Sequence, residues 1–272
     1  MAFDRPIKQR RSLSQVFLTT TWPCEKMTNL LISNGVESCL EIGPGDGILT
    51  NALLESQINV FAVEKDKRFA DKLIETYRLD EGMSERKLSV LNMDILKLDL
   101  VKWLDHNGEK IGVCGNIPYN ISTPVIQWIL PFIGRIKCAV FMVQKEFAQR
   151  IAAQPLTKAY GSLSVYTQLR ANVKYEYEVK KELFKPIPKV DSAVISLTAK
   201  ENAFTDVELY QSEMITRAAF SKRRKKMRNS ISEFIKDMDE SEFGIDFDRR
   251  PDSFSPEEYI EIGKKAFLLK KS

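Results

Sequence analysis

Five short apolar runs, each ending in a polar turn, constrain this chain more than any other feature. They are Cys39-Ile42, Val60-Val63, Leu88-Leu91, Ile111-Cys114 and Cys138-Val143. Most are separated by helix-like stretches such as Ile48-Ser56, Arg68-Tyr77, Pro124-Ile133 and Glu146-Ala153. Short continuous apolar runs suit strands buried on both faces, and their alternation with helices predicts a parallel α/β sheet with both faces covered. After Gln154-Pro155 the pattern becomes β-rich. Val173-Val179 and Ala193-Thr198 are predicted as an antiparallel hairpin closing one sheet edge. From about Glu201 the chain reads as helices and loops: Asp206-Phe220, Lys225-Lys236 and Pro256-Leu269. Apolar residues there are too few for a strong independent core, so this part is expected to pack against the first. The expected division is 1–200 and 201–272.

Composition narrows the class. At 272 residues the chain has ample material for a buried core in one large domain and a small one. No apolar run approaches the roughly 20 residues needed to cross a bilayer. The opening residues, MAFDRPIKQRRS, lack the apolar centre of a signal peptide. A cytoplasmic protein without membrane contact is expected. Cys24, Cys39, Cys114 and Cys138 are scattered with no C-x-x-C pair, which predicts buried free thiols. His106, the only histidine, sits in an Asp-His-Asn-Gly turn. That argues against a His-based triad or a multi-His metal site, and no metal is expected.

The net charge of +4 is modest but unevenly placed. Arg5, Lys8, Arg10 and Arg11 crowd the N-terminus. Between Arg217 and Arg228 lie seven basic residues and no acidic one, including Arg223, Arg224, Lys225, Lys226 and Arg228. A solvated helix face usually alternates its signs, so a one-sign block points to phosphate contact. Such contacts supply affinity and salt dependence without reading sequence. The bland alternative is a solubilising surface.

Glu41-Ile42-Gly43-Pro44-Gly45-Asp46-Gly47 joins a strand to a helix that starts at about Ile48. Glycines such as Gly43 and Gly45 let the backbone turn sharply and approach a ligand. The spacing is G-x-G-x-G, not the G-x-G-x-x-G of dinucleotide binders. Glu64 follows the second apolar run, where a carboxylate can accept two ribose hydroxyls. Asp94 follows the third and suits an adenine amino group. Ligands in such sheets bind at the carboxyl ends of strands, so these positions converge. No phosphate-binding lysine follows the glycines, which disfavours an ATP-type loop. An adenosine-bearing ligand without phosphates fits: S-adenosylmethionine.

Gly115-Asn116-Ile117-Pro118-Tyr119-Asn120 follows the fourth apolar run. An amide oxygen and a backbone carbonyl can hold two N–H groups of an exocyclic amine while an aromatic ring lies against the base. Hydrogen bonds from N6–H of adenine to the Asn116 oxygen and the Ile117 carbonyl would localise the nitrogen lone pair. Tyr119 would stack on the base and orient it. Phe184, before Lys185-Pro186-Ile187-Pro188, is a candidate for the opposite face of the adenine, or an ordinary core phenylalanine.

Taken together, these segments resemble the KsgA/RsmA family of ribosomal RNA adenine N6,N6-dimethyltransferases. The likeness runs from about Ser14 to Pro256. It also includes Gln15-Val16-Phe17-Leu18, Gln144-Lys145-Glu146, Ala159-Tyr160-Gly161-Ser162-Leu163-Ser164-Val165, Pro188-Lys189-Val190-Asp191-Ser192 and Phe220 to Ser230. The resemblance implies a Rossmann-like S-adenosylmethionine-dependent methyltransferase sheet, mostly parallel with an antiparallel edge hairpin, plus a small all-helical C-terminal domain that contacts RNA. It implies that Leu18, Gly43, Glu64 and Asp94 contact S-adenosylmethionine, with Asn116 beside the methyl donor. The implied substrate is a pair of adjacent adenines in the 3′-terminal hairpin of small-subunit ribosomal RNA, in the immature 30S subunit, acted on by a monomer.

Two other readings compete with this one. The Erm methyltransferases share Asn-Ile-Pro-Tyr but modify large-subunit RNA. A non-catalytic ribosome assembly factor would keep the fold with a vestigial pocket. One departure from the family pattern is Val16, where the usual segment has asparagine whose side chain helps bind the cofactor. Valine offers only backbone groups and apolar contact. Val16→Asn is therefore expected to tighten S-adenosylmethionine binding in a calorimetric titration with the fold retained; unchanged or weaker affinity would refute this.

Overall fold

The alternating runs assemble into a single seven-stranded sheet. In the computed structural model, residues 16–78, 88–108, 111–201, 204–236 and 239–268 are described. The elements run β1 (Phe17–Leu18), α1 (Trp22–Ser33), β2 (Ser38–Ile42), α2 (Ile48–Glu55), β3 (Asn59–Glu64), α3 (Lys67–Arg78) and β4 (Leu88–Asn92). They continue with α4 (Leu100–Asn107), β5 (Ile111–Asn116), α5 (Ser122–Ile129), β6 (Cys138–Gln144), α6 (Lys145–Ile151), α7 (Ser162–Arg170), β7 (Ala171–Val179), β8 (Phe184–Lys185) and β9 (Ser192–Ala199). Helices α8 (Asp206–Ser221), α9 (Met227–Ser230), α10 (Ser232–Ile235) and α11 (Pro256–Leu268) complete the chain.

The sheet order is β4-β3-β2-β5-β6-β9-β7. Strands β4, β3, β2, β5 and β6 pair in parallel with one another, and β9 runs antiparallel to β6. The predicted β7 and β9 thus occupy one edge. Central strands β5 and β6 are buried almost throughout, as their continuous apolar sequences require, whereas edge strand β4 is largely exposed. From β2 the chain winds to β3 and β4 on one side and to β5 and β6 on the other. The change of direction between β2 and β5 opens a crevice at the carboxyl ends of the strands.

Two compact units form. One holds the chain up to Ala148 together with Lys174–Ala199; the other holds Gln149–Val173 and Lys200 onward. The sequence reading cut the chain once, at residue 200; the contacts add the segment 149–173 to the second unit. That segment changes a further expectation. The second unit has its own apolar core, built from Met227, Phe247, Phe254 and Tyr259 with Tyr160, Val165 and Leu169 from the earlier segment. The Tyr160 hydroxyl donates to the Phe254 carbonyl (2.9 Å) within it. The C-terminal part had too few apolar residues only when counted without 149–173.

Local differences have local causes. Helix α5 tightens after Ile129 into a 3-10 turn, Leu130–Arg135, because Pro131 offers no N–H to continue the ladder. Helix α7 escaped notice because two of its buried positions are polar. Ser164 Oγ donates to the Arg150 carbonyl (2.6 Å) and Thr167 Oγ1 to that of Leu163 (2.8 Å), so the buried face lacks an apolar period. The stretch 225–236 breaks into α9 and α10 at Ile231.

Gly115 sets how closely β5 approaches β2. A Cβ there would lie 2.4 Å from the Ile42 carbonyl oxygen, part of the backbone that cannot swing aside. Gly115→Ala is expected to lower stability by about 2 kcal/mol or more through overpacking, read as a reduced urea midpoint. Gly134→Ala, where a Cβ meets nothing within 4 Å, should leave the midpoint nearly unchanged.

Candidate active site

The turn after β2 is possible because its glycines adopt the left-handed region, with φ of +64° at Gly43, +59° at Gly45 and +89° at Gly47. The Gly43 N–H donates to the Val63 carbonyl (2.9 Å), tying the turn to β3. Gly45 is needed twice over: a Cβ there would stand 2.8 Å from the Phe17 ring, which covers it from β1. The freed amide of Gly45 donates to Glu64 Oε2 (3.1 Å), and the Asp66 N–H donates to Oε1 (2.7 Å). Two main-chain donors thus fix the Glu64 carboxylate at the tip of β3, each oxygen keeping acceptor capacity. Burial pushes its pKa up against the lowering effect of those donors.

All the predicted cofactor residues of the N-terminal and sheet segments line one cavity at the crevice: Val16, Leu18, Gly43, Gly45, Glu64 and Asp94. Asn116 and Tyr119 line the same cavity. At its rim, Asp94 accepts the Leu96 N–H (3.1 Å) and pairs with Lys65 (2.8 Å), and this partnership holds its carboxyl below the usual range. An Asn116 Nδ2 N–H donates to the Val16 carbonyl (3.5 Å), so β5 and the N-terminal segment meet through main chain at position 16. The Val16 side chain, which lines the cavity, also packs against the core. Ile117 is anchored by its N–H to the Met142 carbonyl (2.9 Å). The Tyr119 hydroxyl is bonded to Ser192 Oγ (3.0 Å), which holds the ring's far end.

Phe184 is elsewhere. It is 1% exposed, packs in the core cluster opposite Leu18 in the β1–β8 pair, and does not line the cavity. Two aromatic rings, Phe17 and Tyr119, line the cavity.

The sequence reading also passed over Glu41, a cavity-lining carboxyl only 1% exposed. Thr50 Oγ1 donates to it (2.7 Å). Burial, with Glu64 and Asp46 nearby, pushes its pKa up to about 8 against the hydrogen bond from Thr50. A glutamate at the end of an apolar strand, one residue before the glycine turn, was the available clue. The four cysteines are free and buried, and Cys24 lines the cavity. Among the described residues no group of three His, Cys, Asp or Glu side chains is placed to hold a metal ion, and no helix is long and apolar enough to cross a membrane.

The basic block divides by partner. An Arg223 guanidinium N–H donates to the Lys158 carbonyl (3.1 Å), and the group pairs with Asp252 (3.3 Å). Lys226 and Arg228 both pair with Asp248 (3.2 and 2.8 Å). Arg224 and Lys225 are exposed, with no ion pair among the described residues. Arg5, Lys8, Arg10 and Arg11 lie outside the described residues.

A mostly parallel sheet with one antiparallel strand pair at its edge, a glycine turn after its first long strand and acids at the next strand tips define a Rossmann-like methyltransferase. The fold is shared with a dimethyladenosine transferase from Plasmodium falciparum, at a TM-score of 0.74 and 24% identity over 92% of this chain and 98% of that one. It is shared too with the 23S rRNA methyltransferase ErmE, at a TM-score of 0.70 and 22% identity over 92% and 99%. Sequence carries the assignment further. Residues 7–266 match the family model described as ribosomal RNA adenine dimethylase. A ribosomal RNA small subunit methyltransferase A of Legionella pneumophila is 36% identical over 94% of this chain and 96% of its own. The chain belongs to the ribosomal RNA adenine dimethylase family, which makes it a methyltransferase acting on adenine in ribosomal RNA.

Glu41 yields a test on the free protein. Its folded pKa, about 8, lies above the ordinary 4.5. The native state therefore keeps a proton that the unfolded chain releases between those values. The contribution of Glu41 is complete below pH 4.5 and is lost as pH rises through about 8. Glu41→Gln should gain stability over the parent as pH is raised from 5 to 8, by on the order of a few kcal/mol at the upper end. Melting curves across that range would show it; a difference independent of pH would contradict it.

Proposed function

We propose that this chain transfers methyl groups from S-adenosylmethionine to N6 of two adjacent adenines in the 3′-terminal hairpin of small-subunit ribosomal RNA. Each adenine receives two methyl groups, on immature 30S subunits in the cytoplasm, with the enzyme acting as a monomer. The observation that carries the reading is that one cavity is lined both by the glycine turn with its strand-tip acids and by Asn116 and Tyr119.

The residues present fit the cofactor. Gly45 leaves room that a Cβ would fill, Glu64 is held ready by two amides, and the acids outnumber the cations on the cavity wall. Val16, Leu18, Gly43, Gly45, Glu64, Asp94 and Asn116 would hold S-adenosylmethionine, which supplies an electrophilic sulfonium methyl group. Glu64 would take the ribose hydroxyls. Asp94 would take the adenine amino group by exchanging its Lys65 partner.

What remains for the protein is to make the target amine nucleophilic. With one Asn116 N–H spent on the Val16 carbonyl, the amide oxygen is the group left to accept from N6–H. The Ile117 carbonyl would accept the second N–H, and together they favour a localised lone pair on nitrogen. Tyr119, fixed through Ser192, would stack on the base and orient it for in-line attack. The base must leave its stack to arrive there. Because Phe184 lies in the core, the ring assigned to the opposite face of the adenine would have to be exposed by a local rearrangement, and Tyr119 carries the stacking role in this reading.

The basic block would hold phosphates. Arg224 and Lys225 are available directly, whereas Arg223, Lys226 and Arg228 would exchange an internal carboxylate for phosphate. The resemblance in the relatives' names to small-subunit modification favours that RNA over the large-subunit substrate of ErmE.

Methyl transfer from labelled cofactor to immature small subunits, naked small-subunit RNA and large-subunit RNA, followed by nucleoside analysis, tests the proposal. N6,N6-dimethyladenosine confined to small-subunit material is expected. Asn116→Ala should reduce transfer by roughly 10²–10³-fold, the scale of losing one preorganised polar group, with RNA binding retained. Replacing Arg224 and Lys225 together by alanine should weaken RNA binding and lower the salt slope by about one for each charge removed. Full RNA affinity in that variant would make the block a solvated surface.

A further inference from the structure

The turn after β5 presents two side chains to the cavity, and the stacking role proposed above uses only one of them. The Ile121 N–H donates to the Pro118 carbonyl (3.0 Å), closing a turn whose central residues are Tyr119 and Asn120. Both line the cavity. Tyr119 is tied by its hydroxyl to Ser192 (3.0 Å). Asn120 is exposed, and its amide makes no hydrogen bond among the described residues. An asparagine in a turn is ordinary, and it usually bonds its own backbone two residues on. This one does not, and helix α5, which begins at Ser122, has no side-chain cap. The other polar groups of the wall have places already. Its acids and Lys65 stand at the glycine turn and the tips of β2, β3 and β4, and Asn116 gives an N–H to the Val16 carbonyl.

The chemistry of the bases leaves a task for that amide. Two acceptors, the Asn116 oxygen and the Ile117 carbonyl, select a base with an exocyclic amine. They reject guanine at O6 and uracil at O4, since each would set oxygen against oxygen. They do not reject cytosine, whose N4 amine beside N3 copies the N6 amine of adenine beside N1. What adenine has and cytosine lacks is N7, an acceptor on the other side of the amine. Repeated methylation sharpens the need. Each transfer removes an N–H from the amine, so the two acceptors hold less of the base at the second round, whereas N7 is unchanged. A carboxamide N–H aimed at N7 would read the base at both rounds.

We infer that Asn120 is a specificity-determining residue that donates an N–H to N7 of the target adenine. This rests on the function proposed above and specifies how its base is told from cytosine. The two central residues of the turn divide the work: the Tyr119 ring meets the face of the base, and the Asn120 amide meets its edge.

The test uses the full chain and small subunits reconstituted with ribosomal RNA that carries adenine, 7-deazaadenine, 1-deazaadenine or cytosine at both target positions. Transfer from labelled S-adenosylmethionine is followed on each. For the parent, 7-deazaadenine should lower kcat/KM by roughly tenfold, the scale of one hydrogen bond. Asn120→Ala should lower kcat/KM for adenine by a similar factor and be indifferent to the 7-deaza change, so that the two losses do not add. The isosteric Asn120→Asp has no N–H to give and should lose the contact as alanine does. Both variants should narrow the preference for adenine over cytosine. Affinity for S-adenosylmethionine, measured by calorimetry, should be the same in all three proteins, which separates base reading from damage to the cavity. Additive losses would overturn the inference, as would an unchanged preference over cytosine in both variants. Coupling of Asn120 to 1-deazaadenine in place of 7-deazaadenine would overturn it too, by setting the amide on the N1 edge. If the parent transfers no methyl group to unmodified small subunits, the proposed function fails, and the inference with it; an active parent that treats 7-deazaadenine as adenine removes the inference alone.

Discussion

The close approach of β5 to β2 is the constraint on which the rest of the first unit depends. Parallel strands that wind outward in opposite directions from β2 leave a crevice at their carboxyl ends. What becomes of that crevice is decided by backbone contact. Gly115 lets β5 run against the Ile42 carbonyl without a side chain between them. The next residue on β5 is Asn116, and the next after Ile42 on β2 is Gly43. One omitted methyl group thus brings the Asn116 turn and the glycine turn to the same cavity.

The cavity so formed is acidic and weakly solvated. Glu41, Asp46 and Glu64 are all drawn from water enough that burial raises their pKa values, and their mutual repulsion adds to the effect for Glu41. Glu64 answers with two amide donors, Glu41 with a single hydroxyl and a proton. The two solutions suit different ends. A carboxyl held by two amides keeps acceptor capacity, whereas one whose pKa burial pushes up to about 8 can share a wall with it at less electrostatic cost. A ligand carrying positive charge would meet a surface already arranged to receive it.

Much of this was legible in the chain itself. The buried strands announced themselves as unbroken apolar runs, and the glycines and strand-tip acids could be placed at one end of the sheet because parallel topology leaves no other choice. Part of what was illegible comes from polar atoms satisfied inside the protein. Helix α7 buries Ser164 and Thr167 through hydroxyl-to-carbonyl bonds, and this erased its apolar period. Glu41 is buried with a threonine partner nine residues away, a pairing no spacing rule marks. Phe184 could be read as a base-stacking ring or a core residue, and its place opposite Leu18, buried in the core, depends on a strand pairing that no local pattern marks. A count of apolar residues after residue 200 could not reveal that Tyr160 and Leu169, from earlier in the chain, join the second core.

Position 16 carries a different lesson. The bond that ties the N-terminal segment to Asn116 uses a carbonyl, a group that every amino acid brings equally. Substitution there can change how well the pocket wall fits its ligand, but cannot delete the acceptor that orients the amide. The orienting function is written in the path of the chain, not in the letter at that position. A side-chain change at 16 therefore leaves in place the main-chain acceptor that holds the Asn116 amide.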